Sequence, residues 1–311
     1  MNHLITISGP TAAGKTTLSI QLAQHFKTVI LSADSRQFYR EMSIGTAKPT
    51  PEELAQAPHY FVDNLSIFEE YSVGQYEKEA LALLEKLFQE HQVVIMVGGS
   101  GLFIKAVTEG LNEFPTIPSD IRQALIQDFE AKGIEVLQQE LEAKDPEYYA
   151  KVDTKNPQRL MRALEVIRAS GQTFTHFRNQ PKAQRPFTVI PITLMMDREK
   201  LYERINLRVD LMLEAGLLEE AKQLYPHKQL NPLQTVGYQE LFDCFDNKID
   251  KAEAIRLIKR NSRRYAKRQM TWLRNSMEGA VFEPRDFDGV VTYVEEKIQR
   301  HSVLDTESPK P

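Results

Sequence analysis

The segment Gly9-Pro10-Thr11-Ala12-Ala13-Gly14-Lys15-Thr16 fits the pattern G-x-x-x-x-G-K-[ST]. It stands between an apolar run, Leu4 to Ser8, and a stretch of helical periodicity, Thr16 to Phe26. Strand, glycine loop and helix in that order make an anion cradle: backbone N–H groups turn inward, and the helix N-terminus adds partial positive charge. Lys15 then reaches an outer phosphate, and the Thr16 hydroxyl holds a bridging Mg²⁺. The pattern leaves open which phosphate compound binds. Asp34 follows a second apolar strand, where it either caps the next turn or takes part in chemistry with the cradle. Nucleotide-hydrolysing proteins orient Mg²⁺ with an acid at a strand end. Only Asp34 and Asp197 stand in such places, because Val93 to Val97 runs into Gly98-Gly99-Ser100. Arg208 falls in the middle of an apolar helix face of Leu201, Ile205, Met212 and Ala215, so it pairs with an acid or faces an anion.

These groups need a scaffold. Strands are expected at Leu4–Ser8, Thr28–Ala33, Val93–Val97 and Phe187–Met196, with helices at Thr16–Phe26 and Tyr76–His91. Strand and helix alternate as in an α/β fold with a doubly wound parallel sheet. The cradle, Asp34 and Ser100 all fall at strand carboxyl ends, the edge where ligands of open α/β sheets bind. From Pro115 and Pro118 onward the pattern is helical and charged, with Ser119 as an expected N-cap and breaks at Asp145-Pro146 and Asn156-Pro157. The expectation is a P-loop core over residues 1–118 and 187–311, a helical insertion over 119–186, and a helical C-terminal region from Arg198 onward. The tail Asp305 to Pro311 reads as frayed.

Composition narrows the class. Of 311 residues, 41% are apolar and 26% charged, which excludes collagen-like and low-complexity chains. Apolar runs such as Val93–Val97 fall far short of the roughly 18 residues a membrane span needs. No signal peptide is legible before the first strand, and Cys244 is the only cysteine, so a cytoplasmic protein without disulfides is expected. Net charge is −4, yet Arg256, Lys259, Arg260, Arg263, Arg264, Lys267, Arg268 and Arg274 form a run with no acid among them. Such a run is a solvated helix face or an interaction surface.

Taken together, the motifs resemble the bacterial tRNA dimethylallyltransferases. The resemblance rests on the cradle, Ser32 to Tyr39, Ile44-Gly45-Thr46-Ala47-Lys48-Pro49, Val97 to Ser100, Asn156 to Glu165, Arg204 to Met212, Val236-Gly237-Tyr238 and Ala266 to Trp272. It implies that dimethylallyl diphosphate places its diphosphate on Gly9 to Thr16, with Mg²⁺ at Thr16 and without ATP. It implies Asp34 as the base at adenine N6, Lys15 and Arg208 as neutralisers of the departing diphosphate, and Ser100 beside the adenosine. The acceptor is the adenine 3′ of the anticodon in tRNAs reading codons that begin with U, flipped out of its loop. By the same resemblance, Asp34, Ser35, Arg36, Gln37, Ser100, Arg122, Gln158, Arg159, Leu160, Met161 and Arg162 contact the tRNA anticodon stem-loop. Arg264, Lys267 and Arg268 of the basic run join them. One chain suffices for one site, so a monomer is expected. The chain departs from the family's usual residues at Ala13 (usually Ser), Ser100 (usually Thr) and Phe38 (usually smaller).

Two rivals belong to other classes. A P-loop small-molecule kinase explains the cradle and Mg²⁺ but neither the Gly98-Gly99-Ser100 strand end nor the basic run, and it consumes ATP. A non-catalytic, nucleotide-dependent RNA-binding switch explains the cradle and the basic run, but leaves Asp34 and Arg208 without a task.

Overall fold

The computed structural model describes residues 1–276 and 279–307. Six strands form one parallel sheet: β1 (His3–Ser8), β2 (Ile30–Ser32), β3 (His59–Tyr60), β4 (Val93–Gly98), β5 (Thr188–Leu194) and β6 (Ala280–Phe282). Their spatial order is β3-β2-β4-β1-β5-β6. Strand β1 lies between β4 and β5, with His3 level with both Val93 and Thr188. All six β1 residues are buried, as expected where helices cover both faces of a parallel sheet. Two strands differ from the sequence reading. Segment β3 is too short to show a period, and β6 interrupts a C-terminal region expected to be helical throughout.

The first half of the sheet carries helices α1 (Lys15–Phe26), α2 (Pro51–Leu54), α3 (Val73–Leu87) and α4 (Gly101–Glu109). Their starts are locally encoded. Thr50 with Glu53 and Ser72 with Gln75 make capping boxes, and Pro51 takes the first position of α2, where no N–H is needed. Leu18 and Leu22 of α1 join Ile5, Ile7 and Ile95 in one core layer; Tyr76 and Leu84 of α3 join Leu31 and Met96 in another. Each such side chain removed from water contributes about 1.5–3 kcal/mol.

The chain divides into two compact units, one of Met1–Glu109 with Arg185 onward, the other of Gly110–Gln184. The second contains α5 (Ser119–Lys132), α6 (Ile134–Lys144), α7 (Pro146–Tyr149), α8 (Pro157–Ser170) and α9 (Phe174–Arg178). Pro118 precedes α5 and no side chain caps it, so Ser119 is its first residue rather than its cap. Asp145 and Asn156 do cap, each ahead of a proline. Leu125, Leu137, Leu141, Leu160 and Leu164 form this unit's core.

After β5 the first unit resumes with α10 (Arg198–Glu214), α11 (Leu217–Leu224), α12 (Tyr238–Phe245), α13 (Lys251–Ser276) and α14 (Phe287–Glu307). Helix α14 thus runs through Asp305, part of the stretch read as frayed; the rest of that stretch, 308–311, lies outside the described residues. No described helix is long and apolar enough to cross a membrane.

Candidate active site

The loop between β1 and α1 folds into a cradle through two left-handed residues, Ala12 (φ 64°) and Gly14 (φ 90°). Gly14 takes that conformation without steric cost, whereas Ala12 holds it under strain, a common mark of functional loops. Ala13 is fully buried and donates its N–H to the Pro10 carbonyl at 3.2 Å, so its missing hydroxyl affects backbone geometry little. Lys15 Nζ donates to the carbonyls of Gly9 and Pro10, each at 3.0 Å.

A cavity of about 380 Å³ opens on the carboxyl ends of β1, β2 and β4, a size suited to a small ligand. Its wall includes Thr11, Ala12, Gly14, Lys15, Thr16, Asp34, Arg36, Gln37 and Arg208, residues far apart in the chain. The charged lining is Lys15, Arg36, Lys48, Arg204 and Arg208 against Asp34 and Glu53, an excess of cations that favours an anion. Burial pushes the Lys15 ammonium down to about 8, with Asp34 opposing the shift and Arg208 adding to it. Burial also lowers Arg208, helped by the neighbouring Arg204, while Glu53 and Asp34 draw it upward. Both cations are therefore held without full hydration, which strengthens their attraction for an anion.

Asp34 closes an Asx turn: its Oδ1 accepts the Arg36 N–H at 3.1 Å. Tyr76 donates to the Ser32 carbonyl at 2.9 Å and pins the strand end that presents the carboxylate. Ser100 follows β4; its Oγ accepts the Ser35 N–H and donates to Ser35 Oγ, both at 3.2 Å. The hydroxyl thus ties the β4 end to the Asp34 turn. Phe38 is buried in the core, stacked on Tyr76. Gln37 donates to the carbonyls of Thr46 and Ala47 at 3.4 and 3.2 Å, anchoring the loop that follows. That loop is held from its other side by Glu220, whose carboxylate accepts the N–H groups of Ser43, Ile44 and Gly45.

Asp197, the other strand-end acid, is exposed and caps α10 through the N–H groups of Glu199 and Lys200. On the apolar face of α10, Leu201 and Ile205 are buried and Met212 packs against the core as expected; Val209 joins them, and only Ala215 departs, being exposed. The cavity also takes in residues given no role from the sequence, Glu53, Arg204 and Gln269 among them. Arg204 was legible, because it precedes Arg208 by one helical turn. Tyr265, interleaved in the basic run, lines the cavity from α13, and so does Gln269, which carried no local signal. Burial and the charge of Asp34 push the Tyr265 phenol up to about 12.

The basic run of α13 divides in two. Lys259 is held by Asp210 at 2.6 Å and Arg263 by Asn206 at 2.6 Å, both half-buried, so these serve the fold, while Arg256 is exposed and pairs with Glu253 one turn before it. Arg264, Lys267 and Arg268 are exposed, and none of them pairs with a carboxylate of the described residues. Arg268 lies over the Tyr265 ring at 5.7 Å.

The remaining expected RNA contacts belong to the unit Gly110–Gln184. Arg122 and Arg162 both pair with buried Glu165, at 3.2 and 3.4 Å, while Gln158 and Arg159 are exposed. Leu160 and Met161 are buried in that unit's core, so their side chains hold α8 in place and only their backbone can meet a ligand.

Among the described residues no group of three or more His, Cys, Asp or Glu could hold a metal ion. The site still fits Mg²⁺ of the kind that keeps most of its ligands as water and phosphate oxygen, with the Thr16 hydroxyl as the protein's contribution.

Comparison with known proteins gives one answer throughout. The family model described as IPP transferase matches residues 37–276. A tRNA dimethylallyltransferase of Christiangramia forsetii is 54% identical over 298 residues, covering 96% of this chain and 99% of the relative. One of Cytophaga hutchinsonii is 49% identical, covering 96% and 98%. The full-length tRNA isopentenylpyrophosphate transferase of Bacillus halodurans superposes with a TM-score of 0.74 at 35% identity, covering 99% of this chain and all of that one. A eukaryotic dimethylallyltransferase acting on tRNA gives a TM-score of 0.77 at 25% identity, covering 100% of this chain and 81% of that one. The chain belongs to the IPP transferase family.

Proposed function

We propose that the protein transfers the dimethylallyl group of dimethylallyl diphosphate to N6 of the adenine 3′-adjacent to the anticodon, in tRNAs reading codons that begin with U. The products are N6-isopentenyladenosine and diphosphate. What carries the reading is the meeting of Asp34, Lys15 and Arg208 around one cavity at the sheet edge, in a chain similar over its length to tRNA dimethylallyltransferases. N6 is a poor nucleophile because its lone pair is delocalised into the ring. As N6 attacks the allylic carbon, Asp34 takes an N6 proton, the N–C bond forms, the C–O bond to diphosphate breaks, and the electron pair leaves with diphosphate. Lys15, Arg208 and the N–H groups at the start of α1 meet the charge that grows on the leaving group. Mg²⁺, when bound, adds positive charge to the same oxygens, and Thr16 would hold it. Ser100, through Ser35, keeps the Asp34 turn in place.

A flipped adenine reaches Asp34 past Arg36 and Gln37, with Arg264, Lys267 and Arg268 placed to hold RNA phosphates. In the other unit, Arg122, Gln158, Arg159 and Arg162 contribute side chains to the RNA, and Leu160 and Met161 contribute backbone. Every group invoked for the transfer belongs to one chain, which supports a monomer, and the RNA substrate supports a cytoplasmic enzyme. The kinase alternative is weakened by Asp197, whose carboxylate is spent on capping α10.

The experiment is prenyl transfer from labelled dimethylallyl diphosphate, with Mg²⁺, to tRNA lacking the modification. Label should enter the RNA without ATP. Phosphate release from ATP with no labelled RNA would overturn the reading.

A further inference from the structure

Gln269 stands in a part of the site that the transfer itself does not use. Its side chain reaches from α13 into the sheet edge, and the residue is only 9% exposed. Its Oε1 accepts the Thr11 N–H at 2.8 Å, and its Nε2 donates to the Gly99 carbonyl at 3.0 Å. One amide therefore joins the cradle to the end of β4. Gly99 is the residue where this meets the base: a Cβ built there would lie 2.7 Å from Gln269 Nε2 and 3.6 Å from Asp34 Oδ2. The amide and the free oxygen of the carboxylate thus flank one glycine.

We propose that Gln269 is a positioning residue that sets the spacing between the diphosphate cradle and the Asp34 carboxylate. The inference rests on the proposed transfer. The chemistry asks for this side chain, because it must accept from an N–H at one end and donate to a carbonyl at the other. Glutamate offers two acceptors and repels the Gly99 carbonyl. Methionine offers neither bond, and asparagine is one methylene short. Thr11's N–H is engaged by the amide, so the anion is received further along the loop. The same residue sits between exposed Lys267 and Arg268 on one side and Thr271 on the other, so the helix that would meet RNA also fixes the cradle. A displacement of about 1 Å between reacting groups can cost on the order of a hundredfold in rate, so the penalty should fall on turnover rather than on binding.

The test compares wild type, Gln269→Met and Gln269→Glu for single-turnover prenyl transfer from pH 5.5 to 8, with pyrophosphate and tRNA affinities and melting temperature measured alongside. Gln269→Met should transfer about a hundredfold more slowly, with both affinities within about threefold of wild type. Gln269→Glu should recover relative to Gln269→Met as the pH falls, because a protonated carboxyl again donates to Gly99 while its other oxygen accepts from Thr11. Should Gln269→Met fail to fold, that acid-side recovery of Gln269→Glu against wild type decides. Rates within threefold of wild type, or parallel pH profiles with pyrophosphate affinity and melting temperature lost together, would overturn the proposal. Absence of transfer by the wild type instead overturns the proposed function, while the pyrophosphate measurements remain readable.

Discussion

Raising the pH from 7 to 9 should weaken pyrophosphate binding about tenfold through Lys15 alone. Burial holds the Lys15 ammonium at about 8 in the free protein, against an ordinary value of 10.5. A group titrating there is about 90% charged at pH 7 and about 10% charged at pH 9. If the anion requires the charged lysine, affinity falls in that ratio. The ligand titrates over the same range and gains negative charge, so the diagnostic quantity is wild type relative to Lys15→Arg, whose guanidinium stays charged. Calorimetric titration at constant ionic strength supplies both curves, and their ratio should drop through a midpoint near 8. Stability carries the opposite sign. Between about 8 and 10.5 the unfolded chain binds the proton that the folded chain has released, so this lysine's contribution to stability rises with pH across that window. Parallel binding curves for the two proteins would refute the claim that desolvation of Lys15 governs anion affinity.

Arg208→Ala should lower the transfer rate about 10²- to 10³-fold while leaving tRNA affinity unchanged, because it removes charge aimed at the leaving group; single-turnover kinetics and an RNA-binding titration check this. Asp145→Ala should destabilise the unit Gly110–Gln184 by about 3 kcal/mol, since a carboxylate with 1% exposure accepts from Tyr148 N, Thr175 N and Thr175 Oγ1 at 2.8–3.0 Å. Urea unfolding followed by a probe in that unit measures it, and an unchanged midpoint would contradict it.

How much of this was legible in the sequence depended on whether the signal was local. The cradle is contiguous, and strands β1, β4 and β5 are long enough for apolar runs to stand out. Arg208 was visible because a cation on an apolar face conflicts with its surroundings. Strands of two and three residues, His59–Tyr60 and Ala280–Phe282, leave no period to detect. Asp197 shows the limit of strand-end patterns: an acid after a strand looks the same whether it faces a ligand or caps the next helix. Likewise the basic run shows no break, and only the fold separates Lys259 and Arg263, matched by Asp210 and Asn206, from Arg264, Lys267 and Arg268, left exposed. Gln269 lies 258 residues from the N–H it accepts, a pairing that exists only once the sheet is assembled.

The most direct test of the central claim is Asp34→Asn. The change keeps the shape and the acceptor for the Arg36 N–H but removes the base. In single-turnover transfer with saturating dimethylallyl diphosphate and tRNA, the account predicts a rate at least about a hundredfold below wild type, with both substrates still bound normally. A rate within a few-fold of wild type would show that the proton leaves N6 by another route, and would contradict the assignment of Asp34.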